Sequence, residues 1–98
     1  MELTKKQTKY LKGLGHNLKS LYQIGKFEIG ETQFTLYDNA LRAHELIKIH
    51  VLKSVATKKE ELGATLAERL RATVIEIKGN TILLFRRNIN KPAIKFPK

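Results

Sequence analysis

A chain of 98 residues is long enough for a single compact domain but too short for two independent cores, which excludes a two-domain enzyme. With 42% hydrophobic and 29% charged residues, its composition is that of a folded domain and not of a disordered tail. Nineteen Lys and Arg against nine Asp and Glu leave a net charge of +10, which favours polyanionic partners, and the lack of cysteine excludes disulfides and zinc ribbons.

No apolar run of signal-peptide type follows the early lysines, and no stretch is long enough to span a bilayer. The expectation is a soluble, cytoplasmic protein. Thr4-Lys5-Lys6-Gln7 has the spacing of a capping box and opens a helix. Leu3, Leu11, Leu14 and Leu18 lie near one face of it, while Lys5, Lys9, Lys12 and His16 form a basic stripe. Gly13 and Gly15 put its end near position 15. Residues 20–24 are rich in β-formers and closed by Gly25, which predicts a strand, and 25–30 reads as a loop bounded by glycines.

Over 31–44, Phe34, Tyr37, Leu41 and His44 recur at helical spacing with Leu36, Ala40 and Ala43 beside them, predicting a helix with a broad apolar face. Residues 46–52 alternate, with Ile47, Ile49 and Val51 on one side of a central strand. Thr57-Lys58-Lys59-Glu60 is a second capping-box match, and Leu62, Leu66 and Leu70 carry that helix to about position 71. Residues 73–78 and 81–86 are strands separated by Gly79-Asn80, which suits a type II′ hairpin. Beyond them Pro92 and Pro97 bracket a polar segment without a period. Helix, strand, helix, strand, helix, strand, strand implies an α/β fold: a single compact domain whose mixed sheet has helices packed on it.

The charge is segregated. Residues 1–20 sum to +4, residues 21–85 to +1 and residues 86–98 to +5. Two basic ends on a nearly neutral body make a polyanion surface if the fold brings them together; the alternative is two solvated, flexible ends.

No convergent catalytic set stands out. His16, His44 and His50 fall on three elements without metal-ligand spacing, and read as a phosphate-side, a packed helix and a strand-face residue. No phosphate-loop, dinucleotide-binding or nucleophile-elbow motif occurs. Glu60 and Glu61 start a helix, where the macrodipole accounts for them. Neither metal, cofactor nor small-molecule substrate is expected.

Gly25 ends a strand and Gly30 precedes a helix, so the loop delivers Lys26 to a helix N-terminus with free amides, a setting suited to phosphate. Glycine loops clamp nucleic-acid backbones because no Cβ stands in the way, although most such loops only turn the chain.

Lys6-Gln7 with Tyr10-Leu11-Lys12-Gly13-Leu14-Gly15-His16-Asn17-Leu18, then Gln23-Ile24-Gly25-Lys26, then His44-Glu45-Leu46-Ile47-Lys48-Ile49, and finally Gly79-Asn80 with Leu84-Phe85-Arg86, resemble the bacterial YhbY-like single CRM-domain proteins. The resemblance covers nearly the whole chain. It implies a four-stranded mixed sheet with three helices, similar to the C-terminal domain of translation initiation factor three. It also implies RNA binding, since bacterial members associate with precursors of the large ribosomal subunit and related plant domains act in intron splicing. On it, residues 1–88 form a CRM-type RNA-binding domain and residues 89–98 a basic C-terminal tail.

The family loop reads glycine, two residues, glycine, and its second glycine here is Glu28, while Gly30 stands where relatives place a polar helix cap. A carboxylate facing phosphate repels it. Either the loop has moved its contacts to Lys26 and the first helix amides, or the first helix and the tail dominate. Phe27 either stacks on an unpaired base or folds onto the core.

The expected function is therefore a monomeric, non-enzymatic protein that binds ribosomal RNA in large-subunit (50S) precursors as an assembly factor. Lys5, Lys9, Lys12, His16 and Lys19 line one side of the expected phosphate track. Lys26 sits at its centre, Gly25, Phe27 and Gly30 of the same loop are further candidate RNA contacts, and Arg86, Arg87 and Lys91 extend it. Backbone contacts of this kind position RNA, leaving specificity to its shape or to a stacked base. The alternative is a resident ribosomal or nucleoid structural protein bound through the same basic ends. Membrane-surface binding by the first helix is disfavoured, because it lacks an anchoring Trp or Phe.

Overall fold

The computed structural model describes residues 2–26 and 28–97. In chain order it contains α1 (Lys5–Asn17), β1 (Tyr22–Ile24), α2 (Glu31–His44), β2 (Leu46–Val51), a 3-10 helix (Lys53–Lys58), α3 (Lys59–Leu70), β3 (Thr73–Lys78) and β4 (Thr81–Phe85). The expected order is found, with the 3-10 helix as an addition.

The first capping box forms: the Gln7 amide donates to Thr4 Oγ1 and the Thr4 amide to Gln7 Oε1, both at 3.0 Å. The second does not. Thr57 lies within the 3-10 helix, which runs directly into α3, so Lys58 precedes α3 without the extended backbone of a side-chain cap. Nor does α1 stop near Gly15. It continues to Asn17, because Gly15 serves packing: a Cβ there would lie 2.5 Å from Leu83 Cδ2, so only a bare backbone lets α1 come this close to β4.

The four strands form one mixed sheet in the order β1-β2-β4-β3, with β1 parallel to β2 and the other neighbours antiparallel. At the β3–β4 turn Gly79 takes φ +58° while Asn80 is not left-handed, the φ pattern of a type II′ hairpin. One face of the sheet is covered by α2 and α3, which bury Ile24, Ile47, Ile49, Val51, Ile82 and Leu84 beneath Phe34, Tyr37, Leu41, Leu62 and Leu66. Leu36 and Ala43 lie on the flank of this stripe and are exposed. His44, expected to pack, is also exposed, because α2 ends there and the chain turns through Glu45 at φ 64°.

On the opposite face a smaller cluster of Leu11, Leu46, Ile75, Leu83 and Phe85 is closed by Leu3 and Leu14 of the N-terminal segment and by Ile94 and Phe96. The two basic ends therefore share one face. Residues 88–97 are not a free tail, for Glu45, wholly buried, ties them down. Its Oε1 accepts from the amides of Ala93 and Ile94, each at 2.7 Å, and from Arg87 Nη1 at 3.3 Å, while Oε2 accepts from the Asn88 amide at 2.6 Å. Burial works to raise this carboxyl's pKa, but the amides of Asn88, Ile94 and Ala93 together with Arg87 outweigh it and hold the group below the usual carboxylate range. The Phe96 ring then meets Phe85 and Tyr10 edge-on, at centroid distances of 5.9 and 6.0 Å.

Candidate nucleic-acid interface

Helix α1 and the C-terminal segment cover only part of their sheet face. Leu46, Leu83 and Phe85 lie beneath them, whereas the part nearer the β3–β4 turn carries polar side chains. Strand alternation dictates this. Ile24, Ile49, Ile82 and Ile77 point toward α2 and α3, so their neighbours Gln23, His50, Thr81 and Lys78 point the other way. Strand register then aligns these four into a row: Gln23 pairs with His50, His50 with Thr81, and Thr81 with Lys78. Gln23 and Lys78 are exposed, His50 and Thr81 half-buried.

The stripe on α1 leads to this row. Lys5 and Lys9 are exposed and Lys12 is half-buried, and the stripe ends at His16, whose Nε2 lies 4.0 Å from Glu76 Oε2 on β3. Lys48, the row's neighbour on β2, donates from Nζ to the Gly15 carbonyl at 3.1 Å, capping the negative end of α1. Lys19 is exposed on the rim of a groove of about 480 Å³ whose walls include Leu14, Leu18, Leu21 and Tyr22.

The glycine-bounded loop leaves β1 at the same end of the sheet as the β3–β4 turn, since the Leu52 amide donates to the Ile24 carbonyl and the Val51 amide to the Asn80 carbonyl. Gly25 packs beneath Leu52, and its carbonyl accepts from Ser54 Oγ at 3.3 Å. Lys26 and Glu28 are both exposed; Phe27 lies outside the described residues. Gly30 caps α2, its amide donating to Gln33 Oε1 at 3.2 Å, and nothing within 4 Å would meet a Cβ there. The first-turn acid of α2, Glu31, is drawn aside by Arg69 at 3.0 Å.

Arg86 and Arg87, expected to extend the track, are spent inside the molecule. Arg86 donates to Asp38 Oδ1 at 2.8 Å, to the Asp38 carbonyl at 3.0 Å and to the Leu70 carbonyl at 2.9 Å, so it binds α2 to the end of α3. Arg87 donates to the Ile94 carbonyl at 2.7 Å as well as to Glu45, and its guanidinium lies 5.2 Å from the Phe96 ring centroid. Lys91 is exposed in the turn that Asn88 Oδ1 closes by accepting from the Asn90 and Lys91 amides.

The structure thus brings the α1 stripe onto a row that sequence reading did not single out, with Lys26 at the same end of the sheet. Alternation alone put His50, Lys48, Lys78 and Thr81 on strand faces, but their alignment depends on a register that one sequence does not contain. Among the described residues no three His, Asp or Glu side chains are placed to hold a metal ion, and no helix is long and apolar enough to cross a membrane.

The CRS1 / YhbY (CRM) domain model matches residues 3–86. The chain belongs to the CRS1/YhbY (CRM) domain family. This CRM domain is 30% identical over 95 residues to the Bacillus subtilis protein named "Probable RNA-binding protein YqeI", covering 97% of this chain and 99% of that one. Against a Haemophilus influenzae protein named "RNA-binding protein" it is 30% identical over 84 residues, 86% of this chain and 85% of the other. The solution structure of a hypothetical Staphylococcus aureus protein, proposed to bind RNA, superposes on the CRM domain with a TM-score of 0.80 at 38% identity, covering 98% of this chain and all of that one.

Proposed function

We propose that this CRM domain is a cytoplasmic, monomeric RNA-binding protein that catalyses no reaction and holds ribosomal RNA in large-subunit precursors as an assembly factor. The observation that carries the reading is the line from Lys5, Lys9 and Lys12 through His16, which faces Glu76, to the polar row beside Lys48, in a chain of net charge +10. Relatives named as RNA-binding proteins along nearly the whole chain support it. In this reading residues 1–88 carry the binding surface, residues 89–98 are a basic C-terminal tail whose Ile94 and Phe96 lie on the same face, and Lys26 and Lys19 flank the track. Arg86 and Arg87 act by bracing the scaffold. Lysines on a helix track phosphates whatever the base, so affinity is strongly salt-dependent.

Replacing Lys5, Lys9 and Lys12 together by Ala tests the track. Binding to unrelated RNAs falls by similar factors, and the slope of log K against log salt is reduced by roughly 2 to 3, at about 0.7 to 0.9 per phosphate contact. An unchanged slope removes α1 from the interface. The assembly role is tested by sedimenting lysate at low and high salt. Co-migration with a light large-subunit fraction, lost at high salt, supports it; retention in mature ribosomes favours a resident structural protein instead.

A further inference from the structure

The row Gln23, His50, Thr81, Lys78 holds no Phe, Tyr or Trp, so it lacks the side chains that make a sheet face a base-stacking platform. What it offers is hydrogen bonding. The Gln23 amide both donates and accepts, and a neutral His50 ring does so through its two nitrogens. Neither side chain has a protein partner among the described residues. Thr81 Oγ1 gives its proton to the Lys78 carbonyl at 2.8 Å, which leaves its lone pairs to accept. Across four strands such a row is about 14 Å long, more than one nucleotide's reach. Cations stand beside it, Lys78 in the row, Lys48 next to it and Lys26 on the loop at that end of the sheet, with the His16 ring and the Glu76 carboxylate at the same place.

A group that both donates and accepts, placed beside phosphates along a backbone, is the ribose 2′-hydroxyl, which DNA lacks. We propose that Gln23, His50 and Thr81 form a ribose-reading strip through which this protein tells RNA from DNA, while the lysines of α1 supply affinity for either. The proposal rests on the RNA-binding reading above and adds the group that is recognised.

The experiment uses one stem-loop of about 16 base pairs, made as RNA, as DNA and as 2′-O-methyl RNA, the last keeping the A-form helix while blocking the hydroxyl donor. The full chain is compared with Gln23→Ala/His50→Ala and with the triple lysine variant, each checked by thermal melting. Wild type is expected to bind RNA at least about tenfold more tightly than the DNA and 2′-O-methyl forms, as two or more net hydrogen bonds allow. The double variant then loses about tenfold on RNA and keeps its DNA affinity, whereas the lysine variant weakens on all three probes with the RNA preference intact. Equal wild-type affinity for RNA and DNA overturns the strip while leaving the RNA-binding reading in place. So does equal binding of RNA and 2′-O-methyl RNA, which shows that shape is read, or a preference that survives in a folded double variant. If wild type binds none of the probes, the RNA-binding reading falls and the strip with it.

Discussion

A methyl group added at Gly15 would press on Leu83 Cδ2 at 2.5 Å, within the small core beneath α1, whereas one added at Gly13 would meet nothing within 4 Å. The two glycines lie on the same helix and look alike in sequence, both marking a weak helix end. Their substitutions therefore have opposite signs. Gly13→Ala stabilises the protein by about 0.5–1 kcal/mol, the helix-propensity gain alone. In Gly15→Ala that gain is outweighed by overpacking of about 1–3 kcal/mol, leaving a net loss of about 1 kcal/mol. Thermal melts should shift in opposite directions, by about 4–8 °C per kcal/mol in a domain of this size. Residue chemistry was readable wherever the partner is local, as with Thr4 and Gln7. It was not readable for Arg86, whose acceptors on Asp38 and Leu70 come from two other helices.

Among the elements, the segment after β4 departs most from what its sequence implied. It has no period because it is neither helix nor strand, and its order is imposed from the α2–β2 corner by one carboxylate. Glu45 holds the amides of Asn88, Ala93 and Ile94, and these in turn hold Ile94 and Phe96 against α1 and β4. Because its pKa in the folded protein is lowered, Glu45 contributes its full stabilisation above the ordinary carboxylate value of about 4.3, and that contribution drains away as pH falls through the lower folded value. Amide shifts of Asn88, Ala93 and Ile94 should titrate together with one midpoint below about 4.3. A midpoint at or above the ordinary value would mean that the carboxylate does not favour the folded form. Glu45→Gln puts an NH₂ group against amide donors, costs about 1–3 kcal/mol and abolishes the common titration. The start of α3 likewise depends on neighbours outside its own motif. A four-residue match at Thr57 was outvoted by Leu52 and Val55, whose hydrogen bond winds the chain into a 3-10 turn that leads straight into the helix.

For the whole molecule, the sheet separates two cores of unequal size. The one under α2 and α3 gathers residues from every strand, while the one under α1 rests on five buried side chains and the docked end. Regions with fewer buried apolar contacts open more readily, so amides of α1 should exchange faster than those of β2 and β4. Equal rates would show that both faces unfold as one unit. The fold class was legible because helical and strand periods alternate cleanly along the chain, and the family motifs are spread along it in order. The interface was legible only in outline. Charge counting marked the two ends, but which basic groups remain free for a ligand depends on who sits opposite them, and Arg86 and Arg87 proved to have partners.

The sheet ends at two edges, and neither invites a further strand. β1 is three residues long, and its Gln23 carbonyl already accepts from the Tyr37 hydroxyl at 2.8 Å. On the far side β3 is broken by a register shift between Val74 and Glu76 and carries Glu76 and Lys78 near its end. Short, bulged and charged edges are poor templates for growth by strand addition. Pairing of two copies of this domain edge to edge into one continuous sheet is therefore disfavoured at both ends of the sheet.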